Sequence, residues 1–202
     1  MGAHNAIRKE MADIVNALNG VNSRGAMKSF EVTAMQALWK SHHDHVEAHH
    51  KNEDDLFVPF LKERFSYPEK AVADHNEVVK MIGELSGLVD SLKEGDKVDS
   101  LCEKMIEYEK EMGAHLKMEE DMCLPLMRAY FTQAEITPMV QKIVGAGVPQ
   151  EMGSFIHYMG EDKFRNEFMV NKLYLPQLFS YSINIFFVFK GTRGYSRFCL
   201  VY

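Results

Sequence analysis

The sequence predicts an all-α protein, an antiparallel up-down four-helix bundle with a C-terminal extension. Three observations lead there. Apolar residues recur at helical spacing through the first two-thirds of the chain, short polar or Gly/Pro breaks separate the segments that carry them, and one His/Glu pattern occurs twice. Four amphipathic helices joined by short loops bury their stripes most simply against antiparallel neighbours.

Ile7, Met11, Ile14 and Leu18 form the first stripe, and Asn19-Gly20 is a stop signal behind it. Phe30, Ala34 and Leu38 open a second, which runs into "HHDHVEAHHKNED" at 42–54 and is punctuated by Ser66-Tyr67-Pro68. Val78, Ile82, Leu85, Val89 and Leu92 form a third, stopped by "KEGD" at 93–96. The fourth runs Leu101, Met105, Tyr108 and Met112 and continues through His115 and Glu119. Residues 1–131 therefore read as the bundle, in two halves (1–65 and 68–131), and 132–170 as a weaker helical extension around "GAGVP". From 171 to 202 the composition turns aromatic and β-favouring, and no bundle pattern fits it.

At 202 residues the chain is long enough to bury a sizeable core. A net charge of -6 without a basic patch argues against nucleic acid as a partner. Cys102, Cys123 and Cys199 are too widely spaced for a disulfide framework or a metal clip, which favours a reducing compartment. No signal peptide can be read at the N-terminus, and Ala6 breaks the myristoylation pattern. The uncharged stretch 173–189 contains Pro176 and is short for a span of about 30 Å, so no membrane association is expected. The expected location is cytoplasmic.

The repeat is the most informative feature. "HHKNEDDLFVP" (49–59) and "HLKMEEDMCLP" (115–125) share His-x3-Glu-acid-Asp-x3-Pro at an offset of 66. "HNAIRK" (4–9) and "HNEVVK" (75–80) match at an offset of 71. Each half thus places one histidine on its first helix and a His-x3-Glu pair on its second. Residues four apart lie on nearly one helical face, so His49 with Glu53, and His115 with Glu119, point inward together. A buried carboxylate without a partner is costly and takes up a proton or a cation. Imidazole nitrogen with carboxylate oxygen suits iron, manganese or zinc. The set His4, His49, Glu53, His75, His115 and Glu119 is sized for two metal ions bridged by carboxylates. Pro59 and Pro125, six residues past each glutamate, are expected to kink or end the ligand helices.

At these residues the chain resembles the hemerythrin-like HHE cation-binding family. The resemblance covers about residues 1–131 and implies a four-helix bundle with a non-haem di-iron centre, two iron ions held by those six residues with Glu53 and Glu119 bridging. The chain departs from the oxygen-carrying hemerythrins it resembles. They add a histidine four residues after the third one, where this chain has Val79 (Arg8 at the equivalent place in the first half), and an aspartate where it has Glu119. His45 and Glu111, each four residues before a ligand histidine, stand as an additional ligand or as a hydrogen-bond partner that orients one. By helical rotation His43 and His50 point to the surface, and His42 takes a solvated or orienting place. Asp54, Asp55, Glu120 and Asp121 read as a solvated face, and Cys123 as a small buried hydrophobe. Met11, Met112 and Met122 are candidates to wall the site from water.

Three functions follow. The first is a di-iron protein that binds dioxygen, or senses oxygen or iron through the occupancy of its site. The second is a di-iron oxidoreductase acting on peroxide, nitric oxide or iron. The third is a structural module holding a metal for stability; the first is preferred over any catalytic role. The implied partner is dioxygen or another small diatomic or peroxide ligand.

Overall fold

A computed structural model of the chain describes residues 2–67, 69–147 and 149–158, without the side chains of 70–74 and 149–151. The stretch 173–189, the tail from 171, the helical reading of 159–170, Pro68 and Cys199 lie outside the described residues. Among these residues the chain is all-helical and has no strand. α1 runs Gly2–Asn22 and α2 Ser29–Asn52, followed by a π-helical turn at Glu53–Phe57 and the short α3, Val58–Lys62. After these come α4 (Glu69–Asp90), α5 (Asp99–Tyr130), α6 (Gln133–Ala146) and α7 (Pro149–Tyr158).

α1, α2, α4 and α5 close a ring, each packed on two others in the order α1, α2, α4, α5 and back to α1. Neighbours run antiparallel: the start of α1 meets the end of α2 and the second half of α5, and the end of α2 meets the start of α4. This is the predicted four-helix bundle. Its core holds Ile7, Met11, Ile14 and Leu18 from α1, and Val78, Ile82, Leu85 and Val89 from α4. α5 adds Leu101, Met105, Tyr108, Met112 and Leu116. The α2 stripe differs from the expected one. Val32, Met35, Trp39 and Val46 are buried, whereas Phe30 is 60% exposed and Ala34 and Leu38 are only half-buried. The inward face is set by the large residues one position away, anchored by Trp39 donating its indole proton to Ser86 on α4.

Helix ends also depart from the sequence signals. α1 passes through Gly20 and ends at Asn22, and the positive φ falls at Gly25, in the turn beyond. Gly95, at φ 90, lets the "KEGD" loop bend so that its N–H reaches the Met27 carbonyl while Met27 N–H reaches that of Asp96. The two loops at that end are thereby tied together. Pro59 lacks the N–H that a continuing α-helix needs, and the chain answers with the π-turn, where Val58 N–H bonds to Glu53 five residues back. Pro125 does not end its helix; α5 continues to Tyr130.

Beyond the bundle, Thr132 and Glu135 form a capping box that starts α6. A second apolar cluster, Leu61, Cys123 and Phe131 with Phe57, Phe60 and Tyr67 around them, closes the end of the bundle opposite the loops. α7 lies across α1 and α2, where Tyr158 bonds Asp13 at 2.5 Å. No helix among the described residues is long and apolar enough to cross a membrane.

Candidate metal centre

Antiparallel packing brings the repeated motifs to one end of the bundle. His4 stands in the first turn of α1, His49 and His50 in the last turn of α2, and Glu53 at the head of the π-turn. His75 lies in the first half of α4, and His115 with Glu119 in the second half of α5. The site is layered between the main core, which ends at Val46 and Leu116, and the cluster of Leu61, Cys123 and Phe131.

Their donor atoms form two groups, each with all members within 4.8 Å of one another: His4, His49, Glu53 and Glu119, and His50, Glu53, His75 and His115. Glu53 belongs to both. His49 Nε2 is 3.2 Å from Glu53 Oε1, His115 Nε2 is 3.3 Å from Glu119 Oε1, and His4 Nε2 is 3.6 Å from Glu119 Oε2. The rings of His50 and His75 are 4.1 Å apart. Donors about 2.0–2.2 Å from one ion sit about 3–4 Å from each other, so these spacings match a shared coordination sphere.

Burial sets the charge state. His4 is pushed down to about 4, chiefly by desolvation. His50 falls to about 3, through burial and then the nearby His75 and His115, and burial holds His49 well below its ordinary value. Burial, then Glu119, pushes Glu53 well up, and burial, then Glu120, brings Glu119 to about 8. Neutral imidazoles are the metal-binding form of histidine. His49 Nε2, His50 Nε2, Glu53 Oε2 and Glu119 Oε2 are buried without a well-directed hydrogen bond. Native interiors rarely leave such atoms orphaned; a cation in each donor group satisfies all four, so these residues fit a metal.

Flanking side chains hold the donors in place. Glu120 accepts from Nδ1 of His4 at 3.0 Å and from Arg8 at 2.9 Å, leaving Nε2 of His4 as the lone-pair atom facing the site. Deeper in the bundle, Glu10 accepts from Nδ1 of His42 at 2.9 Å and of His45 at 2.8 Å, and from the Ser154 hydroxyl of α7. Nε2 of His42 takes the Tyr108 hydroxyl proton at 2.9 Å. Glu10, His42, His45 and Tyr108 are all buried. Burial raises the Glu10 carboxyl, but the hydrogen bonds from His42 and His45 outweigh it and hold the group below the usual range.

Several sequence expectations need correction. His50 is 5% exposed and lies in the second donor group. Helical rotation taken alone gives α2 one inward direction, but α2 faces both α1 and α4; consecutive residues, about 100° apart, serve the two sides. Glu120 is no solvated acid, because Arg8 and His4 draw it inward. His42 is buried and bonded to Glu10 and Tyr108. Asp55 and Asp121 are solvated, paired with Lys51 and Lys117. His43 sits at the surface beside Asp44 and Glu47. His45 stands outside both donor groups, on Glu10. Glu111 is also outside them, its side chain 44% exposed and held by Lys110. Met11 and Met112 belong to the core below the site, and Met122 packs on the cluster above. Cys123 is buried against Tyr67, and burial, then Glu119 and Glu53, push its thiol up to about 11.

No curated protein and no solved structure matches the chain. The family model of the hemerythrin HHE cation binding domain matches residues 1–127, which include every residue of both donor groups. The chain therefore belongs to the hemerythrin HHE cation-binding family, and its clustered histidines and glutamates are its candidate metal ligands.

Proposed function

We propose that this protein holds a non-haem di-iron centre and uses it to bind dioxygen, or to sense oxygen or iron. The observation that carries the reading is the pair of donor groups sharing Glu53. His4, His49 and Glu119 would hold one ion, His50, His75 and His115 the other, and Glu53 would bridge them. Adding His50 to the six residues of the repeat gives each ion three ligands besides the bridge and stands in for the histidine absent at Val79. Two irons here would supply a redox-active centre with room for a small diatomic ligand. The protein's own contribution is to keep the imidazoles neutral by burial, to fix His4 through Glu120 and Arg8, and to exclude water with apolar clusters above and below. Neither donor group contains a cysteine, whereas structural zinc sites usually do.

An oxidoreductase is the second reading, and one feature favours it. Tyr108, His42, Glu10 and His45 form a continuous hydrogen-bonded chain, and His45 lies one helical turn from His49. Such a chain can shift a proton among its own members, one helical turn from the site.

Metal analysis tests the centre: about two irons per chain are expected, and a single tightly held zinc overturns it. Exposing the anaerobic ferrous protein to oxygen separates the readings. A visible charge-transfer band that vanishes on deoxygenation supports binding, and peroxide turnover without reversal supports the enzyme.

A further inference from the structure

The donors are shut in on most sides. The main core lies below, the Leu61–Phe131 cluster above, and the Arg8–Glu120 ion pair covers His4. Among the described residues, the seam between α2 and α4 is open. There a cleft of about 510 Å³ runs from solvent down to His50 and His75. On α2 and the π-turn that continues it, the wall includes Glu47, His50 and Asp54, so an acid lies about one turn to either side of the buried histidine. On α4 the wall includes Val79, which is 47% exposed, and Gly83, whose missing Cβ would meet nothing within 4 Å. Small residues on α4 keep the seam open.

The charge arrangement in this seam is specific. Asp55 and Lys51 also line it, but they neutralise each other at 2.6 Å. Glu47 is exposed and makes no ion pair among the described residues. Asp54 is 66% exposed on its side chain and faces Nε2 of His75 at 3.8 Å. A second feature, the floor shared with the metal centre, points to a ligand here: His50 is 95% buried at the cleft floor, with Nε2 lacking a hydrogen-bond partner. A path that starts at two carboxylates with no lysine or arginine partner among the described residues, and ends at an unsatisfied imidazole, suits a cation throughout. Carboxylates at the mouth of a low-dielectric cleft concentrate cations and speed their capture.

We propose that the α2–α4 cleft is the route by which a divalent cation reaches the buried donors, with Glu47 and Asp54 as two carboxylates that draw it to the mouth. The proposal rests on the metal-centre reading above, since a route needs a destination. Oxygen ligands that release readily suit the mouth, and the histidine-rich pair below suits final retention. Because the mouth carboxylates would stabilise the ion in transit, they lower the barrier to loading without changing how much metal the site finally holds.

The test mixes the metal-free full-length chain, checked for helicity by circular dichroism, with ferrous iron under argon, following uptake by competition with a coloured chelator. Glu47→Gln combined with Asp54→Asn is expected to slow uptake about tenfold at low salt, with final stoichiometry unchanged. The difference should shrink at high salt, where exposed charges are screened. Gly83→Phe, placed in open space on a helix, should slow uptake at both salt concentrations by filling the cleft. Glu107→Gln combined with Asp121→Asn, the same charge change at exposed positions of α5, should load like the wild type. Wild-type loading rates in both the double variant and Gly83→Phe overturn the route and leave the metal centre standing. A wild-type chain that takes up no iron overturns both.

Discussion

Glu120 and His4 come from opposite ends of the sequence match and meet at 3.0 Å, carboxylate oxygen to Nδ1. The contact decides which nitrogen of His4 faces the site, and Arg8 holds Glu120 in position to make it. Removing the carboxylate should free the ring to rotate and to change tautomer. Glu120→Ala is expected to weaken metal binding about 10–100-fold while the helical fold is retained. Chelator-competition titration, with circular dichroism as the fold control, reads both; unchanged affinity would mean that His4 needs no orienting partner.

His50 tests the division within the histidine cluster. His50→Ala should lower iron loading from about two per chain, as His49→Ala and His115→Ala should. His43→Ala should leave final loading intact. Metal content of the purified variants decides it, and equal loss in all four would falsify the assignment.

Tyr108 buries a hydroxyl in the core for one partner, His42. Tyr108→Phe leaves Nε2 of His42 buried and unpaired, at a cost of about 1–3 kcal/mol. Urea unfolding of the metal-free chain should show a lower midpoint with an unchanged slope. A midpoint equal to that of the wild type would show that the hydrogen bond contributes nothing net.

Glu10 predicts the acid limb of stability. Its folded carboxyl sits below the usual carboxylate range, because the His42 and His45 hydrogen bonds outweigh the burial that would raise it. A depressed carboxyl stabilises the fold above the unfolded value and loses that contribution as pH falls from there through its folded value. Urea titrations of the metal-free chain at pH 6 and pH 4 should therefore show a steeper loss in the wild type than in Glu10→Gln. Parallel losses would mean that Glu10 does not titrate differently on folding.

Much of this was legible in the sequence. The α1, α4 and α5 stripes predicted the buried faces, since a helix one turn per 3.6 residues writes its inward side directly into spacing. The His-x3-Glu repeat and the His-Asn repeat together predicted which four helix segments must converge, because a buried carboxylate has to find a proton or a cation. The α2 stripe was misread because Phe30 is exposed in the first turn of the helix and Trp39, one position off the expected face, anchors it. Glu10 gave no sequence signal at all. It sits in an apolar stripe as one acid among many, and only its neighbours from α2 and α7 explain its burial.

By itself the sequence determined the helical class, the bundle arrangement and the two repeated ligand motifs, all of which depend on spacing within a single helix. Tertiary structure alone decided that His50 joins the site, that Glu120 turns inward to His4, that Glu53 is the residue common to both donor groups, and that the α2–α4 seam stays open. Each of these depends on which two helices flank a given side chain. A helix facing two partners has two inward directions, and periodicity along one chain segment reports only one of them.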